Sequence, residues 1–262
     1  MGALLRALDA RAFLGFRVWE FSFHSLFRPY GRWFLRRIVF RHPEAALRGL
    51  LAYRKSVRSG LLGGAINPVG RVDPDEFVAE ASRGRLLVAP GFCQKPFGCP
   101  AGRFNHDCIA LGSSLLYAEA SGQGETLPPC RNCYIYEIGS LAIQAGASVY
   151  IMTSALDIGR HILLPSLEDR RFTHILACVC PYSAHPFTLA LEICGLRGYV
   201  VTFARGACAD YAAWARADEG IKPEQTSLAP EGDEWIRKLL EECQAHHDCG
   251  GKRIWRRKSP AA

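Results

Sequence analysis

From residue 85 onward, short apolar runs alternate with stretches of helical period. "RLLVAP" (85–90), "ASVYIM" (147–152), "HILACVC" (174–180) and "GYVVTFA" (198–204) are unbroken apolar runs bounded by Gly, Pro or charge, the pattern of strands buried on both faces. Between and after them, "YIYEIGSLAIQAG" (134–146), "HPFTLALEICG" (185–195) and "EGDEWIRKLLEECQAHH" (231–247) place apolar residues at helical spacing. "LDIGRHILLPSLED" (156–169) is helical with an interruption expected at Pro165. Strands alternating with helices predict an α/β fold, a Rossmann-like and mostly parallel sheet.

Upstream the pattern differs. "FRVWEFSFHSLFRPYGRWFLRRIVF" (16–40) interleaves aromatic residues with Arg17, Arg28, Arg32, Arg36 and Arg37, and Pro29 with Gly31 divides it into two helices. "PEAALRGLLAYRKSV" (43–57) reads as a third helix, with Glu44 in its first turn. "SGLLGGAINPVGRVDPDEF" (59–77) reads as a Gly/Pro-rich linker. The expected organisation is therefore an amphipathic helical extension (1–58), a linker and entry (59–84), the α/β core (85–249) and a loose basic tail (250–262).

Charge sharpens this division. Residues 1–60 hold 12 Arg/Lys against 3 Asp/Glu, a net of +9 in a chain whose total is +7. Basic amphipathic helices can lie on an anionic membrane surface, bind a partner protein, or cap the core. Nucleic acid is the least favoured partner, because Arg and aromatic content alone is a weak signal for it. With 49% hydrophobic residues the chain has material for a packed core. The first residues read as neither a signal peptide nor a membrane span, so a cytoplasmic location, with membrane association through 1–58, is expected.

The 11 cysteines carry the chemistry. In a reducing compartment, clustered thiols point to metal or redox work. Ligands of open α/β sheets bind at the carboxyl ends of the strands. Cys93 and Cys99 follow the run ending at Pro90, Cys180 ends "HILACVC", and Cys208 follows "GYVVTFA". Cys130 and Cys133 precede a helix whose start lies near the same edge, and Cys108 sits on the loop between. Connectivity thus converges them on one rim, with Cys178 either a member or a core residue. Thiolates hold zinc and iron–sulfur clusters alike, and the spacing fits neither a ferredoxin nor a zinc ribbon. A thioredoxin-type use of Cys130 and Cys133 is disfavoured because a loop, not a strand, leads into them. Cys194 reads as core, and "CQAHHDC" (243–249) as a fraying helix end with solvated histidines. His106 and His185 are further polar candidates.

"VAPGFCQKPFGCPA" (88–101), "CRNCYIYEIGSLAIQAGASVYI" (130–151) and "ILACVCPY" (175–182) together resemble a prokaryotic cysteine-rich α/β family of unknown function, over about residues 86–210. The resemblance matches Cys93, Gln94 and Cys99, then Cys130, Cys133, Ile138 and Gly139, then Cys178 or Cys180, with Cys208 as a later position. It implies an iron–sulfur cluster, 4Fe–4S in type, with Cys93, Cys99, Cys130 and Cys133 as preferred ligands and Cys108, Cys180 and Cys208 as alternates or a second set. The function expected is electron transfer or redox chemistry on a small or lipid-soluble substrate, with a redox partner. The alternative is a structural-zinc scaffold or assembly factor.

Overall fold

The apolar runs become the centre of a mixed α/β fold. The structure, a computed structural model, describes residues 16–112 and 128–247. Its six strands are β1 (Ile66–Val69), β2 (Leu86–Ala89), β3 (Ser148–Val149), β4 (His174–Val179), β5 (Arg197–Arg205) and β6 (Ser227–Leu228). They lie in the order β1-β5-β4-β2-β3, with β6 beside the far half of β5. β3, β2, β4 and β5 are mutually parallel, while β1 and β6 run antiparallel to β5.

β4 is buried at every position. Alternate residues enter two separate cores, as a pleated strand requires. Leu86, Val88, Leu176, Cys178 and Val201 face one layer, built by α4 (Pro74–Ser82), α6 (Tyr134–Gln144) and α11 (Pro230–Ala245). Leu87, Ala89, Ile175, Ala177 and Val200 face the other. That second layer holds α2 (Pro29–Phe34, extended by a π-turn over Leu35–Val39), α3 (Pro43–Arg58) and α9 (Pro181–Ile193). It also holds α7 (Ala155–Ile158), which passes through a second π-turn (Gly159–Leu163) into α8 (Leu164–Asp169). α5 (Pro128–Arg131) and α10 (Tyr211–Asp218) are short.

Three elements depart from the sequence reading. Residues 59–84 are not only a linker, since they hold β1 and α4. Pro68 is tolerated because β1 is an edge strand, where a missing N–H costs no ladder bond. α4 starts as chemistry dictates: Asp73 accepts from the N–H groups of Asp75 and Glu76, and Pro74 follows it. The expected break at Pro165 falls earlier, because the π-turn precedes Pro165, which sits in the first turn of α8 where its missing N–H is no loss. Gly31 does not break the basic segment but lies inside α2, which Pro29 opens.

The N-terminal helices pack on the core. α1 (Phe16–Ser25) sends Phe21 among Tyr30, Tyr182, Tyr211 and Trp214. A Cβ built at Gly49 of α3 would lie 2.4 Å from the backbone of Ile193 in α9, so only glycine permits this approach. Tyr53 hydrogen-bonds His185 at 2.9 Å across the same contact. The outer faces still expose Phe27 at 72% and Phe40 at 74%, beside the exposed Arg32, Arg36, Arg37, Arg41 and Arg48. No helix among the described residues is long and apolar enough to cross a membrane. Residues 1–15, Cys249 and the basic tail lie outside the described residues.

Candidate functional site

The parallel strands set where a site can form. The chain builds β3 on one side of β2 and then β4 on the other, so their carboxyl ends part at a switch point between β2 and β4. The loop after β2 carries Cys93, Cys99 and Cys108; Cys180 follows β4 and Cys208 follows β5. Cys180 is the N-cap of α9, and Cys133 is the N-cap of α6.

The rim divides into two thiol sets. The first is Cys93, Cys178, Cys180 and Cys208, all buried. The Cys208 N–H donates to Cys180 Sγ at 3.2 Å, and Lys222 Nζ donates to Cys208 Sγ at 3.2 Å. Hydrogen bonding from the Cys180 thiol, and then the Lys222 ammonium, hold the Cys208 thiol below its ordinary value despite its burial. The same bond to Cys208, with burial, pushes Cys180 up, so Cys208 is the thiolate of the pair and Cys180 its proton donor. Burial pushes Cys93 up and Cys178 to about 12.

The second set is Cys99, Cys108 and Cys133 about Lys95, with Cys130 beside Cys133 and Cys99. Lys95 is 1% exposed, and its ammonium donates to the carbonyls of Gly102, Asn105 and Asp107 at 3.1, 2.7 and 2.9 Å. No ion pair to a carboxylate accompanies it among the described residues. Cys99, Cys108, the Asp107 carboxylate and Cys133 lie in its field, Cys130 in that of Cys133 and Cys99, and Cys108 in that of Cys133. Burial lowers the Lys95 pKa and raises those of Cys108 and Cys130. A buried cation surrounded by thiols is stabilised when they carry negative charge.

Arg103 joins the two sets. Its guanidinium donates to the carbonyls of Lys222 (2.6 Å), Glu224 (3.0 Å), Cys93 (3.2 Å) and Lys95 (3.3 Å). The loop after β2 is thereby tied to the segment that presents Lys222. Gln225 adds a bond from Nε2 to the Gln94 carbonyl at 2.9 Å.

The ligands preferred from sequence are parted by this arrangement. Cys99, Cys130 and Cys133 stay together, Cys108 joins them, and Cys93 lies with Cys180 and Cys208. Among the described residues no three His, Cys, Asp or Glu side chains stand in a group that could hold a metal ion as placed. The set around Lys95 shares with thiophilic metal sites only the chemistry of its donors, four thiols. Cys194 is core, as its periodicity suggests, and Cys243 is wholly buried in one core cluster with Leu240 and Ile236, while His246 is exposed and His247 half-buried. His106 stacks on Tyr150, with Nδ1 on the Ile151 carbonyl at 2.9 Å and Nε2 near the Thr153 hydroxyl at 3.2 Å. Lys95, Arg103 and Lys222 were not foreseen; each sits in a polar loop whose local sequence carries no periodic signal.

A cavity of about 540 Å³ runs from the first thiol set to the N-terminal helices. The buried Cys93, Cys178, Cys180 and Cys208 line its inner end, with the half-buried Lys222 beside them. Leu26 and Leu47 line it too and are 44% and 59% exposed, which puts its mouth among α1, α2 and α3. Asp218 and Lys222 are the charged side chains among its described lining. Burial raises the Asp218 pKa to about 6, so this carboxyl is still mostly ionised at pH 7, and it accepts from the Ala155 N–H.

No family model, no curated protein and no solved structure matches the chain.

Proposed function

We propose that the protein is a cytoplasmic, membrane-peripheral redox protein with a Rossmann-like core, acting on a lipid-soluble molecule bound in the cavity beneath its N-terminal helices. The observation that carries this reading is the cavity: apolar walls, thiols and one ammonium at the buried end, and a mouth among exposed aromatic and arginine-bearing helices. Apolar side chains beside arginines suit a bilayer interface, where the rings enter the headgroup region and the guanidinium groups meet anionic lipid.

The reading includes a metal centre on Cys99, Cys108, Cys130 and Cys133, an iron–sulfur cluster with zinc as the alternative. An iron–sulfur cluster would supply single-electron transfer there. The chain's own contribution is the buried Lys95 ammonium, which offsets the negative charge of four thiolates, and the Arg103 brace, which fixes the loop bearing Cys99. Kinship with the prokaryotic cysteine-rich family belongs to this proposal.

The test is to purify the full chain without oxygen and to measure iron, zinc and acid-labile sulfide in wild type and in Cys130→Ser. Iron with near-equal sulfide, lost in the variant, is expected. Stoichiometric zinc instead would favour the scaffold reading, and metal unchanged in Cys130→Ser would remove this set as the ligands.

A further inference from the structure

We propose that Cys208 and Cys180 are a redox-active dithiol and that the cavity brings a lipid-soluble quinone to it. The proposal rests on the cavity as the substrate site, not on the metal centre.

The pair is built for the chemistry. Each cysteine follows its own parallel strand, so backbone geometry holds them together: the Cys208 N–H lies 3.2 Å from Cys180 Sγ. The two thiols are also hydrogen-bonded to each other, which brings sulfur to sulfur as a disulfide requires. Lys222 touches the Cys208 sulfur at 3.2 Å and lines the same cavity, so it can also meet the oxygen of a bound ring. Cys208 is the nucleophile and Cys180 the resolving thiol.

The cavity selects the substrate class. Its volume of about 540 Å³ is that of a site for a sizeable organic molecule. Phe21, Trp33, Phe34, Phe187 and Trp214 present flat apolar surface along it. Lys222 is the one cationic side chain among its described lining, and Asp218 is an acceptor already engaged by the Ala155 N–H. A long-chain carboxylate would satisfy the walls but would not use two adjacent thiols. A quinone does both, having an apolar body, a carbonyl oxygen for Lys222 and the capacity to take two electrons.

The step balances. The Cys208 thiolate adds to the quinone; Cys180 then attacks the Cys208 sulfur, forming the S–S bond and breaking the bond to the ring. The two electrons given up by the sulfurs leave with the ring as hydroquinone. One of its protons comes from the Cys180 thiol and the other from Lys222, which water reprotonates.

The experiment uses the full chain, reduced, freed of reductant and kept without oxygen, with its metal content measured first. Decyl-ubiquinone is the probe, and quinol formation is followed by absorbance. About one quinol per chain is expected, with mass spectrometry locating a Cys180–Cys208 disulfide. Cys208→Ser and Cys180→Ser should each reduce the burst at least about tenfold, while Cys194→Ala leaves it unchanged. Leu50→Trp, which fills the cavity, should slow quinone reduction yet leave diamide able to form the same disulfide; this separates loss of the site from loss of the fold. Quinol formed equally by Cys208→Ser, or a disulfide joining other cysteines, overturns the proposal. Quinol formation that follows metal content rather than Cys208 overturns it while sparing the metal reading. A working dithiol in metal-free protein does the reverse.

Discussion

Gly49→Ala tests whether the basic helices are seated on the core. The substitution sets two effects against each other. Alanine is the better helix former by about 1 kcal/mol in a helix interior, so an unattached α3 would be stabilised. On the core, the new Cβ would lie 2.4 Å from both the Cα and N of Ile193 and 2.8 Å from the Glu192 carbonyl carbon. Those are backbone atoms and cannot rotate aside. Ordinary contact is about 3.5 Å or more, so α3 must lift by roughly 1 Å from α9. Overpacking of this kind costs about 1–3 kcal/mol. The contact also carries Tyr53–His185 at 2.9 Å and Ser56–Glu192 at 3.5 Å, which lifting would lengthen. With those hydrogen bonds weakened as well, the losses outweigh the propensity gain, and a net loss of about 1–2 kcal/mol is expected. At about 2–4 °C per kcal/mol for a chain of this size, Tm should fall by about 2–8 °C in a thermal melt. Arg48→Gly, at the exposed neighbouring position, calibrates the propensity term and should cost about 1 kcal/mol. A Gly49→Ala protein that melts higher than wild type would refute the packing of α3 on α9, and with it the roof of the cavity.

Other expectations follow from the same contacts. Alkylation of Cys208 by iodoacetamide should already be fast at pH 7, because its thiol is held below the ordinary value; Lys222→Met should move the midpoint of the pH–rate curve upward, and an unmoved midpoint would deny the ammonium its role. Burial works to raise the Glu80 pKa, but the Thr173 hydroxyl, Arg83 and Arg85 together hold it below the usual value. That stabilisation is present above the unfolded carboxylate pKa and lost as pH falls through the folded one, so Glu80→Gln should cost about 2 kcal/mol at pH 7 and progressively less in acid, measured by urea unfolding. Arg103→Met removes four carbonyl contacts and should destabilise by about 2–4 kcal/mol, and Arg103→Lys should not restore it, since an ammonium lacks the planar fork. Phe27→Ser with Phe40→Ser should weaken pelleting with anionic liposomes at low salt without lowering Tm by more than about 1 kcal/mol equivalent, because both rings are exposed; unchanged pelleting would return α1–α3 to the role of a cap alone.

What the sequence disclosed depended on whether a residue's role is written in its neighbours. β2, β4 and β5 were legible because strands covered on both faces must be apolar throughout, and α3, α6 and α11 because their helical period is unbroken. β1 was hidden, since an edge strand needs little apolar character and admits Pro68. β3 was overread: only Ser148 and Val149 pair with β2, although a bridge between Gly91 and Met152 carries the alignment further. The convergence of cysteines on the strand ends needed only the order of elements. Their division into two sets needed the path of the loop after β2, which turns on Lys95 and Arg103. Both bind backbone carbonyls, and a carbonyl has no letter in the sequence, so neither partner set could be anticipated. Lys222 was hidden for another reason: it meets the Cys208 sulfur only through the tertiary path of the segment before β6, which pairs with β5 across a register shift. The buried Lys95 and the half-buried Arg103, both held by main-chain oxygens, rather than the cysteines themselves, thus determine which thiols meet, and Arg103→Met bears on both thiol sets at once.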